Sequence, residues 1–151
     1  MRYYGKADLF KRFLASLVDG FIGLVPGFVP HIGALLSLAY HLTKDAVAFE
    51  VTKNPAFKNR SIGKKLLGLQ VVCFEGNADV DWLVSIKRNL PLAVGSFLML
   101  TGSTDLGLRL ATVLGLIEVA LVLTDKGGRR LGDRLANTQV VMTEEVDTFG
   151  V

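Results

Sequence analysis

The sequence is poor in the residues that build disulfides, metal sites and familiar catalytic centres. Its 151 residues include one cysteine, two histidines and one tryptophan. The single cysteine, Cys73, excludes an internal disulfide, and a reducing cytoplasmic environment suits it. His31 and His41 lack the further cysteine or histidine ligands that zinc needs, and no Ser/His/Asp arrangement indicates a hydrolase. We therefore expect no enzyme, no metal and no cofactor.

Hydrophobic residues, in contrast, make up 50% of the chain, and 16 glycines come in addition. They gather in four runs that predict transmembrane helices, because a spanning helix needs about 20 mostly apolar residues. The predicted helices cover residues 13–29, 32–49, 86–103 and 106–124. The third run is fully apolar only between Leu90 and Gly102, so a partly inserted helix is the alternative there. Asp19 interrupts the first run and no small-residue cleavage site follows, which indicates a retained helix rather than a signal peptide.

Basic residues are absent from the two short turns that would join these helices in pairs. Apart from Lys44 and Arg109, the 17 lysines and arginines precede the first run, lie between the second run and Leu90, or follow the fourth. The positive-inside rule then places both termini, the connecting segment 51–89 and the C-terminal segment 125–151 in the cytoplasm. This asymmetry also favours an even number of spans. The predicted location is the plasma or inner membrane of the cell.

The net charge is +3 and the pI is about 9.1, values that would also suit a nucleic-acid-binding protein. However, the basic residues flank apolar runs instead of forming one patch. We therefore expect anionic lipid headgroups at the cytoplasmic face as the partner, and no nucleic acid.

Two short segments between and after the helices have the composition of strands. Residues 65–74 read KLLGLQVVCF and residues 138–142 read TQVVM, and pairing would satisfy the backbone groups of both. Between them, Val80–Leu90 has apolar residues at helical spacing and predicts a separate helix on the membrane surface. The predicted fold is a single all-α membrane domain over residues 1–151, with two helical hairpins and a small cytoplasmic β-pair.

Charged residues inside the apolar runs are the candidate functional residues, because charge is costly in a membrane. Asp19 lies seven residues after Arg12, and Glu118 lies seven residues before Asp125, so the two carboxylates should lie at similar depth. Polar residues at helical spacing in the second run offer a third wall. The predicted ion or proton site consists of Asp19, Glu118, Lys44, His41 and Asp45, with Lys44 or His41 in hydrogen-bond reach of a carboxylate.

Each of these residues also has a plain structural reading. The two carboxylates Asp19 and Glu118 would pair with a cation and hold helices in register. Lys44 would extend to the membrane interface, and His41 would be a hydrogen-bonded packing residue. Arg12 would anchor the first helix at the interface.

Four stretches, taken together, resemble the RDD family of small membrane proteins, in which an arginine and two aspartates define the motifs. They are KRFLASLVDG at 11–20, SIGKKLLGLQVV at 61–72, KRN at 87–89 and RLGDRLANTQVV at 130–141. The family positions fall on Arg12, Asp19 and Asp133, while Ser61 and Ile62 replace the usual Thr-Pro. Asp133 could equally cap a short helix or pair with Arg130. The resemblance implies a role in transport, with cation/proton exchange proposed for some members.

Two functions of different classes follow. The first is a small membrane transporter or cation/proton exchanger that uses buried carboxylates. Four helices make a thin bundle, so we expect a homo-oligomer, with Gly20, Gly23 and Gly27 at a close interface. The second is a non-transporting scaffold whose cytoplasmic face docks partner proteins or anionic lipid.

Overall fold

The structure is a computed structural model that describes residues 4–74 and 79–148, and about 70% of it is helical. The helices are α1 (Leu9–Leu24), α2 (Gly33–Thr52), α3 (Ile62–Leu66), α4 (Trp82–Leu100), α5 (Thr104–Thr124), α6 (Leu131–Leu135) and α7 (Thr143–Thr148). The strands are β1 (Leu69–Cys73) and β2 (Thr138–Met142), and short 3₁₀ turns cover Val25–Phe28 and Pro55–Phe57.

The long helices form two hairpins, as the turn residues predict. The first run becomes α1 and a 3₁₀ turn that contains Pro26, and α2 follows after a short break. In the second hairpin, α4 and α5 approach closely because both carry glycine at the crossing. A Cβ at Gly95 would lie 2.7 Å from the carbonyl oxygen of Gly107, and a Cβ at Gly107 would lie equally close to that of Gly95. Small residues at such crossings let two helices pack backbone against backbone.

The prediction of a separate surface helix at Val80–Leu90 is wrong. Residues 82–90 form the first half of α4, which begins after the N-cap Asp81 and continues through Pro91 without a break. Asp81 accepts a hydrogen bond of 2.8 Å from the backbone N–H of Val84, which satisfies a free donor of the first turn. Segment 51–89 is therefore not a loop throughout, since it also contains α3 and β1.

The predicted β-pair is confirmed as an antiparallel two-stranded sheet. Leu69 pairs with Met142 and Cys73 pairs with Thr138 at the two ends of the ladder. On one face, Leu69 and Val140 pack with Ala15 of α1 in a small buried apolar cluster. The sheet thus holds the segments that precede and follow it against α1.

The two ends of the described chain meet beside this sheet. The side-chain amide of Gln139 in β2 donates hydrogen bonds to the carbonyl oxygens of Tyr4, Gly5 and Gly127, at 3.3, 3.1 and 3.1 Å. Lys6 adds a bond of 3.0 Å from its ammonium group to the carbonyl oxygen of Leu123 at the end of α5. The N-terminal segment is therefore fixed to the residues around β2 and the end of α5.

Large apolar side chains cover much of the outer surface of the long helices. On α1, Phe10, Phe13 and Phe21 are each more than half exposed, and on α5 the same holds for Leu116 and Val119. Among the described residues, α4 and α5 are the two helices that are long and apolar enough to cross a membrane. This apolar surface and these two helices fit a membrane protein.

Candidate functional site

Buried charged side chains gather where α1, α2, α4 and α5 meet the short helices α3 and α6. Asp45, Arg88 and Asp133 are completely buried, and Asp19 is 1% exposed. An unpaired charge in such a place would cost several kcal/mol, roughly, so each needs a partner. The cluster has two parts, one in which the carboxylates pair with a lysine and one in which the carboxylate pairs with arginines.

Asp19 lies in the middle of α1 and faces the start of α3. Its carboxylate accepts a hydrogen bond of 2.6 Å from the Ser61 hydroxyl and one of 2.8 Å from the Gly63 N–H. Ser61 is also the N-cap of α3, which explains why this hydroxyl is fixed in place. Gly63 can approach only because it has no side chain, since a Cβ there would collide with the carbonyl oxygen of Ala15. Asp19 thus ties α1 to α3 through neutral donors.

Lys64, one residue further along α3, places its ammonium group between two carboxylates. Nζ lies 2.6 Å from Asp45 Oδ1 and 3.8 Å from Asp19 Oδ2. It also donates a hydrogen bond of 3.2 Å to the Ser61 hydroxyl. The cation is therefore enclosed by three oxygen atoms from three different segments. We name Asp19, Asp45, Ser61 and Lys64 the lysine centre.

Asp133 on α6 is the focus of the second part. Arg88 of α4 donates to its Oδ1 from both Nη2, at 2.8 Å, and Nε, at 3.2 Å. Arg130 and Arg12 add ion pairs of 3.4 Å each. We name Arg12, Arg88, Arg130 and Asp133 the arginine centre.

The charges of the arginine centre determine the ionisation of Asp133. Burial by itself raises the pKa of Asp133, but the three neighbouring guanidinium groups outweigh burial and hold the pKa below its usual value. Burial by itself lowers the pKa of Arg130, but the negative charges of Asp133, Asp45 and Glu118 together outweigh burial and raise that pKa. The carboxylate also accepts the backbone N–H of Arg130 at 3.2 Å and so caps α6. Asp133 therefore both caps α6 and pairs with Arg130, so the two structural roles considered for it occur together.

Residues of α4 join the two centres. Arg88 Nη1 lies 3.5 Å from Asp45 Oδ2, so one guanidinium faces both Asp45 and Asp133. The side-chain amide of Asn89 donates to Asp45 Oδ2 at 3.2 Å, and its oxygen accepts from Arg130 Nη2 at 3.0 Å. The lysine and arginine centres are therefore one connected network of charges.

Glu118 on α5 holds the beginning of α6. Its Oε2 accepts the N–H of Leu131 at 2.8 Å and its Oε1 accepts the N–H of Gly132 at 3.4 Å. Gly132 in turn packs directly on α4, where a Cβ would collide with the carbonyl oxygen of Arg88. Glu118 is thus buried, as predicted, but it faces backbone donors of α6.

A cavity of about 450 Å³ opens next to the cluster, between α1 and α5. Leu9 and Phe13 of α1 and Val119 and Val122 of α5 form its apolar walls. Its inner surface carries charged side chains from both centres, which include Lys64 and Arg88. The cluster is therefore open to a space that is large enough for a small ligand or an alkyl chain.

A family model described as the RDD family matches residues 6–137. The chain belongs to the RDD family. Searches among curated proteins and among solved structures find no match. In this RDD protein, the motif residues Arg12 and Asp133 meet in the arginine centre, whereas the motif residue Asp19 lies in the lysine centre.

Two of the predicted site residues of this RDD protein take other positions than expected. Neither Lys44 nor His41 forms a direct hydrogen bond to a carboxylate among the described residues, and a contact through one water molecule stays a prediction. The His41 ring packs against Gly23 and lies edge-on to Tyr40, with 5.9 Å between ring centroids. Lys44 lines the cavity instead.

Sequence reasoning missed the cations that hold the carboxylates. Lys64 and Arg88 were counted among the basic residues that mark the cytoplasmic side, and Asn89 and Arg130 were given no role in the site. The signal for them was their place in the family-like stretches at 61–72, 87–89 and 130–141. Among the described residues, no group of three His, Cys, Asp or Glu side chains is placed to hold a metal ion.

Proposed function

We propose that this RDD protein crosses the plasma or inner membrane four times, with α1, α2, α4 and α5 as spans and both termini in the cytoplasm. The exposed phenylalanines of α1 and the absence of basic residues from both hairpin turns support this topology. Single cysteines at Lys58 and Lys126, in a Cys73→Ser background, should react with an impermeant label only from the cytoplasmic side. A cysteine at Ser103, in the α4–α5 turn, should react only from outside, and the reverse pattern would reject the topology.

The function that the site supports best is exchange of a monovalent cation for a proton. The observation that carries it is the oxygen cage around Lys64 Nζ, which consists of Asp45 Oδ1, Ser61 Oγ and Asp19 Oδ2. A lysine ammonium is a compact point charge, and Na⁺ or K⁺ would be attracted to the same oxygen atoms. The cage is thus a cation site that the protein fills with its own side chain.

Exchange follows from competition for this cage. If Lys64 releases its proton, the ammonium charge disappears and a metal cation takes its place between Asp45 and Asp19. When Lys64 takes up a proton again, it displaces the cation. One cation therefore moves for each proton, and the number of charges in the cage stays constant, as burial requires.

Flux across sealed vesicles tests this proposal. Purified protein is reconstituted, a pH gradient is imposed, and a pH-sensitive dye reports proton movement after addition of Na⁺ or K⁺. We expect the wild type to dissipate the gradient, Lys64→Met to lose this activity, and Lys53→Met, at an exposed lysine just after α2, to keep it. Absence of cation-dependent flux in the wild type, or full activity in Lys64→Met, would overturn the proposal.

The alternative is a non-transporting scaffold that docks partner proteins or anionic lipid at its cytoplasmic face. The arginine centre favours it, because three guanidinium groups on the one carboxylate of Asp133 leave no place there for an incoming cation. If the folded wild-type protein shows no cation-dependent proton flux in vesicles, the result favours the scaffold over the exchanger.

We further propose that the protein works as a homo-oligomer. A Cβ at Gly20 or Gly27 would meet nothing within 4 Å, so these two glycines are available to an identical subunit. Gly23 is covered by His41 and is not available. Mass measurement in detergent tests the oligomeric state, and a monomer would reject it.

A further inference from the structure

The cavity between α1 and α5 has walls and an inner surface of opposite character. Its walls are apolar side chains of two helices whose outer faces are also apolar, so the opening lies within a hydrophobic surface. Among the described residues, five basic side chains and one carboxylate line the inner surface. These are Arg12, Lys44, Lys64, Arg88, Arg130 and Glu118. A ligand that matches both parts must be anionic at one end and apolar at the other.

Two of these cations have unused hydrogen-bonding capacity. The ammonium group of Lys44 forms no hydrogen bond or ion pair with any described residue. Arg88 is completely buried, and its Nη1 lies 3.5 Å from Asp45 Oδ2 but donates no hydrogen bond to a described residue. Buried donors without an acceptor are rare in folded proteins, because each costs about 1–3 kcal/mol. The carboxylate Glu118 cannot serve them, since it is occupied by the backbone N–H groups of α6.

We propose that this cavity binds one anionic phospholipid, with its phosphate group at Lys44 and Arg88 and one acyl chain between α1 and α5. Phosphate oxygens supply acceptors for the ammonium group of Lys44 and for Nη1 of Arg88. Their negative charge also offsets the excess of positive charge in the cavity. The chain covers Phe13 and Val119, which free phosphate would leave uncovered. A zwitterionic lipid would add another cation to a site that already has an excess of them.

The position of the cavity along α1 agrees with a lipid headgroup. Arg12 lies in the first turn of α1 and donates to the carbonyl oxygen of Gly128 in the loop after α5. The charged surface therefore lies at one end of the helices, where headgroups lie, and the apolar walls of the cavity flank it at the same end. This inference needs α1 and α5 to lie in a membrane, but it does not depend on cation exchange.

Native mass spectrometry of the detergent-purified protein tests the proposal. The protein is incubated with equal amounts of phosphatidylglycerol and phosphatidylcholine, and retained lipid is counted. We expect one retained phosphatidylglycerol per chain and little phosphatidylcholine. Lys44→Gln should weaken retention about fivefold, as expected for one basic residue near a lipid phosphate. Lys53→Gln, at an exposed lysine just after the same helix, should retain lipid like the wild type.

A second variant tests the apolar part without a change of charge. Val119→Trp should fill the cavity and displace the acyl chain, which lowers retention even if Lys44→Gln fails to fold. Equal retention of both lipids, or unchanged retention in both variants, would overturn the proposal. Displacement of the lipid by millimolar inorganic phosphate would also overturn it in favour of a free-phosphate site. Because retention is measured without flux, it can succeed or fail independently of the exchange proposal.

Discussion

The two centres of the buried cluster hold their carboxylates with different cations. In the lysine centre, the single ammonium group of Lys64 is shared by Asp45 and Asp19. In the arginine centre, three guanidinium groups converge on the single carboxylate of Asp133. A buried lysine can lose its proton, whereas an arginine stays charged. We therefore expect the lysine centre to exchange one cation for another in the proposed function and the arginine centre to hold the helices together.

The largest effect should come from breaking the arginine centre. Asp133→Asn leaves its guanidinium groups without their common counter-charge, and none of them can escape by losing a proton. We expect a loss of about 3–5 kcal/mol in the free energy of unfolding, as for other broken buried pairs. Thermal unfolding in detergent measures it, with Asp105→Asn as the control, because the Asp105–Arg109 pair is exposed. Equal melting temperatures for the two variants would contradict the assignment.

The next largest effect concerns the contact between α6 and α4. Gly132→Ala introduces a methyl group where the carbonyl oxygen of Arg88 lies, so α6 must move and the bonds of Asp133 must lengthen. Overpacking of this kind costs about 1–3 kcal/mol. Gly115→Ala on α5 is the matched control, because a Cβ there meets nothing within 4 Å. If both alanine variants unfold at the wild-type temperature, α6 is not fixed at this contact.

In the lysine centre, the effect on function should exceed the effect on stability. Asp19→Asn keeps the shape of the side chain, but one of its two acceptors for Ser61 and Gly63 becomes a donor. We expect a loss of about 1 kcal/mol in stability, because Lys64 retains Asp45, and a complete loss of cation-dependent proton flux. Vesicle flux and thermal unfolding of the same preparation give both numbers. Unchanged flux in a folded Asp19→Asn protein would exclude Asp19 from the site.

The smallest effect lies outside both centres, at Asp125 after α5. Burial raises the pKa of Asp125. Its carboxylate, however, accepts hydrogen bonds from the backbone N–H groups of Arg129 and Gly127 and from the side chain of Arg134, and together these bonds lower the pKa. A lowered folded-state pKa gives stability that is present above the unfolded value, about 3.9, and is lost as pH falls through the folded value.

Asp125→Asn should therefore lower stability at pH 6 by no more than about 1 kcal/mol, and by less at pH 3. Melting temperatures of both proteins between these pH values test this. If the difference in melting temperature between the wild type and Asp125→Asn grew as the pH fell, the pH dependence would have the wrong sign. That result would contradict the role given to Asp125.

The comparison also shows which features a sequence can predict. The bounds of α2 and α5 follow from continuous apolar runs, and the β-pair follows from two short β-branched segments, because local composition determines these elements. The extent of α4 was missed, since Lys87, Arg88 and Asn89 have the composition of a surface segment. Adjacent helical positions point about 100° apart, so a buried Arg88 can directly follow Lys87 in a segment that is basic as a whole.

The partners of the carboxylates were harder to predict than the carboxylates themselves. Asp19 and Glu118 stand out because they interrupt apolar runs, and both are buried as expected. Their partners lie on α3 and α6, helices of five residues each. Helices so short have no apolar periodicity of their own, and their positions depend on tertiary contacts such as those of Gly63 and Gly132. Lys44, the more conspicuous lysine by sequence, was therefore given the role that belongs to Lys64.

The residues of the arginine centre lie far apart in the sequence, so they leave the ribosome at different times during synthesis. Arg12 and Asp133 are separated by 121 positions, and Arg88 and Asp133 by 45. At synthesis rates of 5–20 residues per second, Asp133 emerges roughly 6–24 s after Arg12. During this interval, Arg12 and Arg88 have no partner on α6, and α1 gains its ion pair with Asp133 only after all four long helices have been made.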